Sequence, residues 1–237
     1  MTPARAGTAG GAMRRVLGLA VLVTLLACAL AGCTRAADAA GSRPTRVPSG
    51  LATGVSTASA EPGASTDPVD RLRGSLLGPG DVGPGWRPGA PPVPDPGTPA
   101  PCGGPGTVAR FPDALRVGST VDGPAGGVVQ EALSVYGDAD TARAAFRAAL
   151  AGLDCEKGTL HNAPVTIAPA QDRRADVGGD LASSWQVGSD TLDVVLVMVQ
   201  AQEAVFTFAF VTPLPAAAAP PDPLALTRTA VARALAA

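Results

Sequence analysis

An α+β fold, with a twisted, mainly antiparallel sheet of about five to six strands and helices packed on it, is the class the sequence predicts. Three observations carry it. Two segments open with Asp-Pro, at Asp67-Pro68 and Asp222-Pro223, where a capping carboxylate precedes a proline suited to the first helical turn. Between them, apolar runs are separated by short turns rich in Gly and Asp, which favour antiparallel hairpins. The run 192–199 is apolar on both faces, as a central strand covered on both sides requires. The domain so defined spans 67–237, about 170 residues, a length that buries an adequate core.

The elements follow in chain order. After Asp67-Pro68, Val69, Leu72, Leu76 and Leu77 recur at helical spacing until Gly78-Pro79-Gly80 ends the helix. A Pro- and Gly-rich segment runs through Trp86 to Gly106, with Cys102 as its one expected anchor. Residues 115–121 and 128–136 read as strands of a hairpin closed by Asp122-Gly123-Pro124 and Gly126-Gly127. Gly137-Asp138 stops the second strand and caps a helix through about Leu153. Its buried stripe is Ala142, Phe146, Ala149, Leu150 and Leu153, with Arg143 and Arg147 toward water.

Residues 159–167 read as one weaker strand. A polar stretch at 171–176 separates it from the strand 181–187, where Leu181, Ser183, Trp185 and Val187 share a face. Gly188-Ser189-Asp190 turns into the central strand, and Gln202-Glu203 turns out of it. In the next strand Phe206, Phe208 and Phe210 point one way and Val205, Thr207, Ala209 and Val211 the other. The closing helix places Leu224, Val231 and Leu235 on its inner face.

The first 66 residues are of another kind. Arg5, Arg14 and Arg15 precede an uncharged apolar run beginning at Val16, which ends in Leu30-Ala31-Gly32-Cys33. Its core, 16–29, is too short for the about 20 residues that span a bilayer, and small residues stand just before the cysteine. Residues 1–33 therefore read as a lipoprotein signal peptide whose lipobox cysteine, Cys33, takes the lipid. Two or more acyl chains make such an anchor stable. Residues 34–66 are mostly Ala, Ser, Thr, Gly, Pro and Arg without apolar periodicity, a composition expected to stay disordered and act as a tether.

Charge and cysteine content fit export. All acidic residues lie after Cys33, which leaves the mature chain at a formal −5 and argues against nucleic acid as a partner. Arg outnumbers Lys 17 to 1, as in a GC-rich genome such as an actinobacterium. Once Cys28 leaves with the signal and Cys33 is acylated, Cys102 and Cys155 remain, and an exported pair is best read as one disulfide. The lone His161 with two cysteines makes no four-ligand site, so neither a metal nor another cofactor is expected.

Catalytic patterns are scarce. No Gly-x-Ser-x-Gly elbow, His-Glu-x-x-His or Walker loop occurs. Asp172, Asp176 and Asp180 could supply paired carboxylates to a hydrolase, though Arg173 and Arg174 make a solvated loop with local counter-charges the plainer reading. Trp86 either lines a cleft or plugs a core edge, and the Phe206, Phe208, Phe210 stripe reads as core.

Two stretches carry a family resemblance. Leu76-Leu77-Gly78-Pro79-Gly80-Asp81-Val82-Gly83-Pro84-Gly85-Trp86 resembles the opening of the mycobacterial PknH-like extracellular sensor domain. Val135-Tyr136-Gly137-Asp138, leading to Ala142, Phe146 and Cys155, resembles that family's strand, helix and following disulfide cysteine. The resemblance covers about 67–237 and implies a ligand-binding module with a cleft, as found on receptor kinases and on free-standing lipoproteins. This chain differs in lacking a kinase domain and in offering one candidate disulfide rather than two.

The expectation is a non-catalytic, sensor-like or ligand-binding lipoprotein on the extracytoplasmic face of the cell membrane. Its partners are the membrane, through Cys33, and a small envelope ligand or an envelope protein, with Trp86, Asp172, Arg173 and Arg174 as candidate ligand contacts. An envelope protein-interaction module and an envelope hydrolase using the 172–180 loop are the alternatives.

Overall fold

Strands whose side chains alternate between two apolar faces need cover on both, and helices supply it here on each side of one sheet. The structure is a computed structural model that describes residues 67–216 and 221–236. The signal peptide and tether expected over 1–66 lie outside the described residues. In chain order the elements are α1 (Pro68–Ser75), α2 (Pro79–Val82), β1 (Arg87–Pro88), α3 (Thr107–Arg110) and β2 (Leu115–Asp122), then β3 (Val128–Val135) and α4 (Ala139–Ala151). There follow β4 (Lys157–Leu160), β5 (Ala163–Ile167), β6 (Gln171–Asp172), α5 (Arg174–Val177), β7 (Leu181–Gly188), β8 (Leu192–Ala201), β9 (Ala204–Pro213) and α6 (Pro223–Ala236).

The sheet runs β1-β2-β3-β9-β8-β7-β5-β4, with β6 beside β7, and its pairs are antiparallel. The expected α+β class with an antiparallel sheet is what the chain adopts. Among the described residues nine strands form where about five to six were expected. The surplus comes from β1 and β6, of two residues each, and from β4. These short pairings lie on polar or Pro-rich chain, where no apolar alternation announces a strand.

β8 and β9 occupy the middle, as the two-faced apolar run required. Phe206, Phe208 and Phe210 are buried on the face covered by α1 and α6, together with Val129, Leu133, Val197 and Val199. Val205 and Val211 join Trp185, Val194, Met198 and Phe146 of α4 on the other face. Burying a side chain of this size stabilises by about 1.5–3 kcal/mol, so the two layers hold the sheet from both sides.

Three further expectations are corrected. Residues 159–167 form two strands, because His161 and Asn162 take φ of 50° and 65° and make a two-residue turn between β4 and β5. The Pro-rich segment is pinned at several points besides Cys102. β1 pairs with β2, the Gly89 amide donates to the Thr120 carbonyl at 2.8 Å, and the Thr159 amide donates to the Pro101 carbonyl at 2.9 Å. Leu235 is 45% exposed, while α6 buries Val231, as expected, together with Thr227 and Ala230. Small residues on that face let the helix lie close to β8 and β9.

Candidate functional site

Where α1 and α6 pass over one end of the sheet, they leave a hollow of about 290 Å³. Its floor is Leu133 and Val135 of β3 with Ala204 and Phe206 of β9, and Leu115 of β2 closes one side. Arg71 and Leu72 of α1 face Ala234 and Leu235 of α6 across it, and the β8–β9 turn contributes Ala201, Gln202 and Glu203. The walls are mainly apolar, with one cation and one anion among them. Leu115 and Leu235, which stay 37% and 45% exposed, both border the opening.

Next to the hollow along β3, a polar knot ties the helical layer to the sheet. Glu131 is in phase with Val129 and Leu133, so its side chain enters the core, where it is 1% exposed. One oxygen, Oε2, accepts the Leu77 amide at 2.6 Å. The other, Oε1, has no hydrogen-bond partner, and neither does the buried Oγ of Ser119, the residue directly opposite on β2. Burial pushes the Glu131 carboxyl up to about 7. The Leu77 amide and the charge of Arg233 pull the other way without offsetting it.

Arg233 of α6 is occupied elsewhere. Its Nη2 meets Asp81 Oδ1 at 2.5 Å, and its Nη1 donates to Asp81 Oδ2 at 3.1 Å and to the Leu76 carbonyl at 3.3 Å. The Gly78 amide adds a bond to Asp81 Oδ2 at 2.8 Å. The guanidinium therefore holds the Asp81 carboxyl below the usual carboxylate range. Three consecutive residues, Leu76 to Gly78, are thus fastened by side chains from β3, α2 and α6.

The residues singled out in the sequence sit elsewhere. Trp86 packs on the β2–β3 loop, so closely that a Cβ on Gly123 would lie 2.6 Å from its ring. That loop adjoins Val128, and about 20 Å of strand separates it from the hollow beyond Leu133. Asp172 pairs with Arg174 at 2.8 Å, both more than half exposed, and the guanidinium keeps its carboxyl low. Arg173 bonds Ser184 Oγ at 3.0 Å and Asp176 at 3.3 Å, and it also donates to Gln171. Asp180 accepts the Gln202 amide at 3.0 Å and Gln200 Nε2 at 3.2 Å, which fixes the β8–β9 turn. Each carboxylate of the 172–180 loop thus has a partner, and the structure brings none of these residues together with Trp86, while Asp180 touches the rim of the hollow through the Gln202 amide.

Cys102 and Cys155 are bonded, with Cα atoms 5.8 Å apart, and fasten the Pro-rich segment to the end of α4. Among the described residues no group of three His, Cys, Asp or Glu converges to hold a metal, and no helix is long and apolar enough to cross a membrane.

Sequence reasoning passed over Glu131, although a signal was present. In Val128-Val129-Gln130-Glu131-Ala132-Leu133, period two puts the carboxylate on the same face as Val129 and Leu133. No local pattern, by contrast, brings Arg71, Leu115 and Leu235 together, since they lie on three elements far apart in the chain.

No protein-family model matches the chain, and no curated protein matches it in sequence. Among solved structures it is similar to the crystal structure of the extracellular domain of PknH from Mycobacterium tuberculosis, with a TM-score of 0.51 and 15% identity over 71% of this chain and 96% of that one. The fold is PknH-like. The covered share of this chain is close to the length of the described domain.

Proposed function

We propose that this chain is a lipid-anchored, extracytoplasmic, sensor-like lipoprotein that binds a small envelope ligand and catalyses no reaction. The observation that carries this reading is the PknH-like fold, shared with a domain that is extracellular in its parent protein. The Cys102–Cys155 disulfide supports an oxidising compartment. The lipobox ending at Cys33 supports the anchor. The hollow between α1 and α6 is the place for a ligand. Its mainly apolar walls, with Arg71 and Glu203 among them, suit a small molecule with an apolar body and a polar end.

Two measurements test the reading on the full chain. Palmitate labelling in a bacterial host should mark the wild type and not Cys33→Ala, and an unlabelled wild type overturns the anchor. A thermal-shift screen against envelope lipids and glycans should give at least one class that raises Tm, with the gain lost in Leu235→Asp. A screen with no shift in any class overturns ligand binding.

The exposed Leu115 and Leu235 favour a second reading, in which the same face docks an envelope protein. Crosslinking from Leu235→Cys in intact membranes should then yield one reproducible adduct, and its absence removes this reading.

A further inference from the structure

We propose that Glu131 is a proton-operated latch: neutral, it holds the Leu76–Gly78 turn and α1 against the sheet, and on losing its proton it favours release of that layer, and with it one wall of the hollow. The proposal goes beyond ligand binding. It rests on the geometry at Glu131 and does not require that the hollow be filled.

The warrant is a mismatch between where the carboxyl sits and what it is given. A buried carboxylate needs a counter-charge or several donors to offset lost hydration. Glu131 has one donor, the Leu77 amide at 2.6 Å, and an Oε1 with no partner. The charged groups that face it come from the two neighbouring helices. From α6 comes Arg233, already bonded to Asp81 through both terminal nitrogens, and from α2 comes Asp81 itself, which repels a second anion. The directly opposed strand residues, Ser119 on β2 and Phe208 on β9, carry no charge. The neutral acid suits this surrounding, and the pocket holds its carboxyl at about 7.

An ionised Glu131 regains its hydration most directly if the chain above it moves away. That chain is held at three points: Leu77 N–H on Glu131, Gly78 N–H on Asp81, and the Leu76 carbonyl on Arg233. α1 leads straight into it and carries Arg71 and Leu72 into the hollow. Releasing the Leu77 bond therefore loosens the wall that α1 provides, while α6 and the sheet floor stay in place. Between the ordinary Glu value of 4.5 and about 7, each pH unit is worth tenfold in the closed–open equilibrium. The ceiling on the change in opening is about 300-fold.

Native-state hydrogen exchange on the full chain, corrected for intrinsic rates, reads this opening directly. Protection of the Leu77 and Gly78 amides should fall by up to about 300-fold from below pH 4.5 to about pH 8, with the opening constant reaching half its final value near pH 7. Amides of β8 should lose less. In Glu131→Gln, which keeps an acceptor for Leu77 and places a donor beside Ser119, the pH dependence should vanish. Protection that does not vary with pH in the wild type, or a midpoint that persists in the variant, overturns the latch. Should the variant not fold, the carbon-13 carboxyl shift of Glu131 in the wild type decides: a midpoint near 7 supports the latch, and one below about 5 overturns it.

Discussion

Raising the pH from about 5 to about 8 should weaken the whole fold through one side chain, and Glu131→Gln should abolish that loss. The folded pocket holds the Glu131 carboxyl at about 7 against an ordinary 4.5. The folded state therefore binds the proton more tightly than the unfolded chain across that interval. Stability contributed by the neutral form is fully present below 4.5 and is lost as pH rises through about 7. At 1.36 kcal/mol per pH unit, the loss amounts to about 3 kcal/mol.

His161 acts in the opposite sense. Burial holds its imidazole below 6.5, so its contribution is present above 6.5 and lost as pH falls through the lowered value. Comparing wild type with Glu131→Gln at each pH removes that term. Asp81, Asp138 and Asp172 are held below 3.8 and titrate outside the window. With a urea slope of about 1–3 kcal/mol per molar, the variant's midpoint should exceed the wild type's by about 1–3 M at pH 8 and converge with it near pH 5. Equal midpoints at both pH values would refute the reasoning. They would mean that water or local rearrangement already hydrates the carboxylate.

Other consequences follow from the packing. Cys102→Ser with Cys155→Ser opens a loop of sequence separation 53 and should cost about 4 kcal/mol in urea unfolding. Gly123→Ala puts a methyl 2.6 Å from the Trp86 ring and should cost about 1–3 kcal/mol, with a change in Trp86 fluorescence readable in a Trp185→Phe background. Phe208→Ala empties a site with no exposure at the centre of the sheet and should cost about 3–5 kcal/mol by thermal unfolding. Arg233→Met strips Asp81 of its guanidinium and the Leu76 carbonyl of its donor. It should cost about 2 kcal/mol by urea unfolding at neutral pH, with little effect on the fold seen by circular dichroism.

Much of the fold was legible locally because secondary structure answers to nearest neighbours. Asp67 and Asp222 cap their helices with side-chain bonds to the following amides, as the Asp-Pro pairs foretold. The Phe206, Phe208, Phe210 alternation read straight off as one buried face, since side chains of a strand can point only two ways. The single strand expected over 159–167 divides in two, because Pro164 and the polar His161-Asn162 blur its period and only the paired strands reveal the turn.

The candidate site was far less legible. Trp86 and the 172–180 loop stand out as unusual residues in unusual stretches, yet the first packs on a hairpin, and in the second Asp172 and Asp176 are met by the loop's own arginines and Asp180 by the β8–β9 turn. The hollow and the latch are made by contacts between residues distant in the chain. Leu77 meets Glu131 across 54 positions, and Arg233 meets Asp81 across 152.

By itself the sequence determined where helices cap, which residues alternate, and that Cys102 and Cys155 stood as a pair. Only the tertiary structure decided that Glu131 lies under Leu77 with a single donor, and that α1 and α6 leave a hollow between them. The physical reason is that a side chain's charge, hydration and company depend on what covers its face of the sheet. Here that cover comes from the two ends of the domain, which are brought together only when the chain folds.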